Sequence, residues 1–171
     1  MTSPPFRNVD ASRDDAVEDW PTEAVDAALT RGSLADWARI DAAIRRQPWG
    51  RVARTVEAIL GYSRPYGVDL LMERAIARAR ASADARDRAA VADDVRRLVT
   101  ASGLSRAQVA ALLGTSTSRL STYITGRVTP SAAFMVRLRR VATTPPFRDV
   151  EPSIRLAEGV TTRDLLDRDD R

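Results

Sequence analysis

An all-α fold is predicted from three observations. Ala interspersed with Arg, Leu and Val dominates the chain, while aromatic residues make up only 5%. Few runs are β-branched enough to read as strands. From Val68 to Ser102 there is neither Gly nor Pro, and most of that span is strong helix former.

The elements follow from caps, breakers and apolar spacing. Residues 1–19 are polar and acidic, begin with a Pro pair, and read as a flexible acidic arm. Pro21-Thr22-Glu23 reads as a helix start with Val25, Ala28 and Leu29 as the apolar stripe, ending at Gly32. Ser33 is placed to cap a second helix carrying Leu34, Trp37, Ile40, Ala43 and Ile44 at three- and four-residue spacing, and Pro48 stops it. A third helix is expected from about Trp49 to Leu60, with Val52, Val56, Ile59 and Leu60 inward. The run from Gly61 to Gly67 is turn chemistry. Residues 20–67 thus form an N-terminal helical domain in which Trp20, Trp37, Trp49, Tyr62 and Tyr66 read as core packing rather than a ligand pocket. A long helix follows over 68–90, either continuous or broken near Ser82–Ala85, with alternating Arg and Asp as a solvated face. Leu71, Ile76, Ala79, Ala83 and Ala90 follow a heptad only roughly.

Residues 91–144 hold a second helical module. Val91, Val95, Leu98 and Val99 give an amphipathic helix. Ser105 is an N-cap for Arg106 to Leu113, with Val109, Leu112 and Leu113 apolar, and Gly114 supplies the positive φ that ends a helix abruptly. Thr115 or Ser116 caps the next helix, which buries Leu120, Tyr123 and Ile124. Ser131 caps a last one with Phe134, Leu138 and Val141 inward. Residues 145–171 form an acidic, low-aromatic tail expected to be disordered. Its start, "PPFRDVE", repeats "PPFRNVD" of residues 4–10 at five of seven positions.

Composition removes most catalytic chemistry. The chain has no Cys and no His, so thiolate catalysis, disulfides, imidazole bases, the Ser-His-Asp arrangement and the usual zinc sites are excluded. No metal or other cofactor site and no enzymatic activity is expected. No apolar run approaches a membrane span and the N-terminus lacks signal-peptide order, so a cytoplasmic protein is expected. All positive charge is Arg, and its distribution is uneven. Segment 91–144 carries eight Arg against two acidic residues, whereas 1–20 and 145–171 are net acidic. A basic module between acidic tails points to a polyanion partner.

Two helices joined by a short Gly-containing turn match the helix-turn-helix signature. The run "LSRAQVAALLGTSTSRLSTYITGRVTPS" resembles the Xre-type (lambda-repressor-like) helix-turn-helix family. The resemblance rests on Leu104, Ser105, Ala110, Gly114, Ser116, Leu120, Tyr123, Gly126-Arg127 and Pro130-Ser131, over about residues 91–142. Ile124 and Thr125 depart from the acidic residue and Asn usual before the loop glycine. The family implies a five-helix-type domain that binds double-stranded DNA. It gives Arg106 the position that clamps the backbone, and Thr117, Ser118 and Thr122 those nearest base edges.

The chemistry agrees with that use. A helix bearing Thr117, Ser118, Arg119, Ser121 and Thr122 outward suits a major groove. Ser105, Arg106, Ser116 and Arg127 are the candidates for phosphate. Each hydroxyl is equally open to capping or solvation, and Arg119 to a phosphate or a guanine. The resemblance implies a sequence-specific transcriptional regulator, most simply a bacterial or phage repressor on an inverted-repeat operator. A DNA-binding antitoxin that neutralises a partner toxin and autoregulates its operon is the alternative, and a scaffold protein that has lost DNA binding a third. Because one such module reads few base pairs, a homodimer held by the N-terminal domain is expected, with the long helix setting the spacing. The N-terminal domain or tails are also where another protein partner would act.

Overall fold

The computed structural model describes residues 11–143, and everything it describes outside turns and loops is helical. The helices are α1 (Thr22–Arg31), α2 (Leu34–Arg46), α3 (Arg51–Tyr62), α4 (Val68–Ala101), α5 (Arg106–Leu112), α6 (Thr117–Ile124) and α7 (Ala132–Thr143), preceded by a 3-10 turn at Val17–Asp19. The chain divides into two units between Ala89 and Ala90, within α4. The repeated PPFR segments lie outside the described residues.

In the first unit, α1, α2, α3 and the start of α4 enclose a core that includes Val25, Leu29, Ile40, Ile44, Val56, Ile59 and Met72. Each such side chain contributes roughly 1.5–3 kcal/mol by leaving water. Ser33 and Asp36 form a reciprocal capping box at the start of α2, with the Ser33 amide donating to Asp36 Oδ2 at 2.8 Å. Several sequence expectations are corrected here. Residues 11–19 are not free of the fold: Val17 is buried, Arg13 pairs with Asp36 at 3.8 Å, and Arg39 donates to the carbonyls of Arg13 and Asp15. Trp20 is buried, with its indole N–H donating to Ser12 O at 3.1 Å and the Arg39 guanidinium 5.0 Å from its ring. Trp37 is partly buried and donates to Ala28 O at 2.9 Å. By contrast Trp49, Tyr62 and Tyr66 are exposed rather than core. Leu34, expected inward, is 77% exposed, because it opens the helix where no neighbour covers it. The third helix starts two residues later than expected and runs through Gly61 to Tyr62.

Helix α4 is a single uninterrupted helix. Val68, Met72, Ala75, Ile76, Ala79 and Ala83 are buried in its first half, so residues 68–83 belong to the packing of the first unit rather than to a bare connector. Ala92, Val95 and Val99 are buried in its last part. Between Ala83 and Ala92 no residue is buried, and helix propensity carries the chain there. Of the rough heptad, Leu71 and Ala90 are exposed.

The second unit packs Val95, Val99, Val109, Ala110, Leu113, Leu120, Tyr123, Phe134 and Leu138 into one core. Tyr123 and Phe134 meet with ring centroids 4.9 Å apart at 58°. Leu112, expected inward, is 47% exposed, and its neighbour Leu113 takes the buried position. The described residues give this unit four helices: the end of α4, then α5, α6 and α7. The described residues end at residue 143, so the expected five-helix count is not covered by them.

Candidate nucleic-acid interface

The turn between α5 and α6 is built by local chemistry. Ser105 caps α5 through a reciprocal box with Gln108: its amide donates to Gln108 Oε1 at 2.9 Å and its hydroxyl accepts from the Gln108 amide at 3.3 Å. The amide of Gly114 donates to Ala111 O at 3.1 Å and that of Thr115 to Ala110 O at 3.0 Å. This is the Schellman pattern, which places its C′ residue in the left-handed region. Gly114 has φ +64°. Ser116, not Thr115, then caps α6 by accepting from the Arg119 amide at 3.1 Å. Ser131 does the same for the Phe134 amide at 3.2 Å.

Along α6 the buried residues are Leu120, Tyr123 and Ile124. A turn advances about 100° per residue, so Ser118, Ser121, Thr122 and Thr125 fall on the side opposite Leu120. Thr117, Ser118 and Arg119 are exposed, and Ser121 and Thr122 half-buried. The five candidate reading residues therefore lie together on one short helix. Their side chains are not equivalent. Thr122 spends its hydroxyl proton on Arg119 O at 2.7 Å, while Arg119 donates through Nε to the Tyr123 hydroxyl at 2.9 Å. Sequence reasoning placed Tyr123 only in the core. Its i+4 spacing from Arg119 was the available sign that it also holds a candidate reading residue.

Where the sequence departs from the usual loop, the structure supplies other bonds. Ile124 is buried, and the Thr125 hydroxyl donates to Ser121 O at 3.0 Å. The Val128 amide reaches Thr122 O at 3.3 Å, which closes the loop carrying Arg127.

The charge of the described residues of this unit is unbalanced. The two acidic residues among the described residues of the unit, Asp93 and Asp94, are taken by Arg96 and Arg97 on the same helix. Among the described residues Arg106, Arg119, Arg127, Arg137, Arg139 and Arg140 have no carboxylate partner. Arg106 and Arg127, the candidate phosphate residues, are both exposed. Cations without carboxylate partners among the described residues attract anions. No group of His, Cys, Asp and Glu among the described residues is arranged to hold a metal ion, and no described helix is long and apolar enough to cross a membrane.

Nothing matches the chain significantly among curated proteins or among solved structures. Residues 76–148 match the family model of a helix-turn-helix domain, a partial-length match that contains α5, Gly114 and α6 and is consistent with an Xre-like module. The chain carries a helix-turn-helix domain at residues 76–148, and that domain supports a DNA-binding regulator in general terms.

Proposed function

We propose that this chain is a sequence-specific transcriptional regulator, acting as a repressor through α6 in the major groove of an inverted-repeat operator. The observation that carries the reading is the junction of two features on one small unit. A short helix presents hydroxyls and Arg119, and five further Arg of the same unit lack carboxylate partners among the described residues. Hydroxyls and Arg are the groups that read base edges, and uncompensated Arg side chains supply the phosphate attraction. In this reading Thr117, Ser118, Arg119, Ser121 and Thr122 face the bases. Arg106 and Arg127 face phosphates on either side, and the caps Ser105 and Ser116 present the adjoining backbone.

The decisive experiment is selection of binding sites from a random duplex pool by the full-length chain. An inverted repeat with half-sites one helical turn apart, or a multiple of it, is expected. Retention of all sequences alike, lost as salt rises, would instead mean that only the phosphate attraction is present.

A further inference from the structure

Two clefts of the first unit, on α3/α4 and on α2/α4, contrast in charge. In the first, Arg80 Nη1 meets Glu57 at 2.7 Å and Arg64 meets Glu73 at 2.7 Å, so each cation has its carboxylate. The second is a pair of adjoining hollows that share Asp41, Ala75 and Arg78. One, of about 230 Å³, is walled by Leu34, Trp37, Leu71 and Met72. The other, of about 480 Å³, has Ala75 and Ala79 in its floor and Arg45, Arg78 and Arg86 around it.

Three cations here face one carboxylate. Asp41 is engaged by Arg45 at 3.0 Å, and Arg86 gives its Nε to Ser82 O at 3.3 Å. Arg78, where the two hollows meet, has no partner among the described residues. Like charges gathered over an Ala floor repel one another unless an anion joins them. At the other end, Leu34 is 77% and Leu71 43% exposed, and neither contributes to the core. Apolar surface continuous with an unbalanced cation is complementary to a molecule that is apolar at one end and anionic at the other.

We propose that the α2/α4 groove binds a small amphipathic anion, a hydrocarbon chain or ring bearing one carboxylate or similar oxyanion. Its apolar part lies against Leu34, Trp37 and Leu71, and its head accepts hydrogen bonds from Arg78 and Arg45. Such a ligand removes two leucines from water and neutralises the Arg cluster together. A guanidinium matches a carboxylate with paired N–H donors, which suits the head to Arg78. Nucleic acid fits the groove less well, because it offers nothing for the leucine end.

The test is calorimetric titration of the full-length chain, without DNA, with octanoate as probe. It is independent of the DNA-binding reading, since either can fail while the other stands. Saturable binding of one octanoate is expected. Octanol, which lacks the charge, and sulfate, which lacks the chain, should each bind at least about tenfold more weakly. Arg78→Glu and Leu71→Glu should each cost at least about tenfold in octanoate affinity, with Arg78→Gln as the milder variant if Arg78→Glu fails to fold by circular dichroism. Arg88→Glu, on α4 but outside the groove, should bind as the parent does. The proposal is overturned if octanoate gives no saturable heat, if octanol or sulfate binds as well, or if the Arg78 variants are unchanged. It is also overturned if an unrelated DNA duplex displaces octanoate, which would make the groove a polyanion surface.

Discussion

The Nε of Arg119 donates to the hydroxyl of Tyr123 one turn further along α6, at 2.9 Å, and the Tyr123 ring rests in the core 4.9 Å from Phe134. A long, rotamer-rich cation on the exposed side of the helix is thereby tied to a buried aromatic. If Arg119 meets DNA as proposed, ordering it beforehand lowers the entropy lost on contact, which favours a specific geometry over a diffuse one.

Tyr123→Phe isolates that tie, because the ring packing is kept and only the hydroxyl is lost. Thermal stability should fall by about 1 kcal/mol or less, the worth of one partly exposed hydrogen bond. Site selection should show a weaker preference at the base pair nearest Arg119, with the salt dependence of binding unchanged. An identical selected motif would mean that Arg119 is ordered by the DNA rather than by Tyr123.

Thr122 offers a sharper test of what a reading residue presents. Its hydroxyl proton is committed to Arg119 O at 2.7 Å, which leaves its methyl and its oxygen lone pairs for a base. If the methyl is what is read, against a thymine methyl, Thr122→Val should keep the selected motif. Thr122→Ala should then change it at one or two base pairs, by roughly 1–3 kcal/mol of discrimination. Competition binding between matched and altered duplexes measures both. Loss of preference in the Val variant as well would assign the contact to the oxygen.

Arg106 and Arg127 are exposed and without carboxylate partners among the described residues. As phosphate contacts, each changed to Ala should weaken binding to all duplexes alike. The slope of log affinity against log salt should fall by about one unit per residue. Fluorescence anisotropy across a salt series reads this directly, and unchanged slopes in both variants would remove the two residues from the interface.

The helix-turn-helix half was legible because its determinants act within a few residues. Ser105, Ser116 and Ser131 each meet an amide three positions on, and α5 ends where the Gly114 amide bonds Ala111 O and the Thr115 amide bonds Ala110 O. What the sequence hid are contacts between distant positions. The arm expected over 1–19 is polar by composition, yet Arg39 fixes Arg13 and Asp15 from more than twenty residues away. Helical phase placed Leu34 and Leu112 on apolar stripes, but phase says which residues share a side and not whether a neighbour covers them. Trp49, Tyr62 and Tyr66 lie in or beside turns, where aromatic character alone carries no burial. The α2/α4 groove was invisible for the same reason, since Arg45 and Arg78 are brought together only by the fold.

Gly114 should be the most sensitive position in the turn despite open space around it. A Cβ there meets nothing within 4 Å, so the cost of Gly114→Ala is the backbone conformation at φ +64°. That cost is roughly 1–2 kcal/mol. Gly61, inside α3 and equally open, is the contrast: Gly61→Ala should stabilise by roughly 0.5–1 kcal/mol. Chemical denaturation of both variants, with opposite shifts of the midpoint, is the expected outcome.

A single module of this size reads too few base pairs to select one site in a genome, so the proposed function requires that two act together. The surface best suited to pairing lies in the first unit. Tyr62 is 68% exposed, Tyr66 fully so and Leu70 48%, all close in sequence at the end of α3 and the start of α4. Where such side chains form one patch, they mark a contact surface. Light scattering on the full chain at micromolar concentration should give a dimer. Tyr66→Glu with Leu70→Glu should shift it to monomer and weaken binding to an inverted repeat far more than to a single half-site. The two half-sites should then lie about 34 Å apart, or a multiple of that distance, as two recognition helices on one side of the duplex require. A monomer in the parent chain, both free and on its selected DNA, would sink the pairing and leave Tyr62, Tyr66 and Leu70 to a different protein partner.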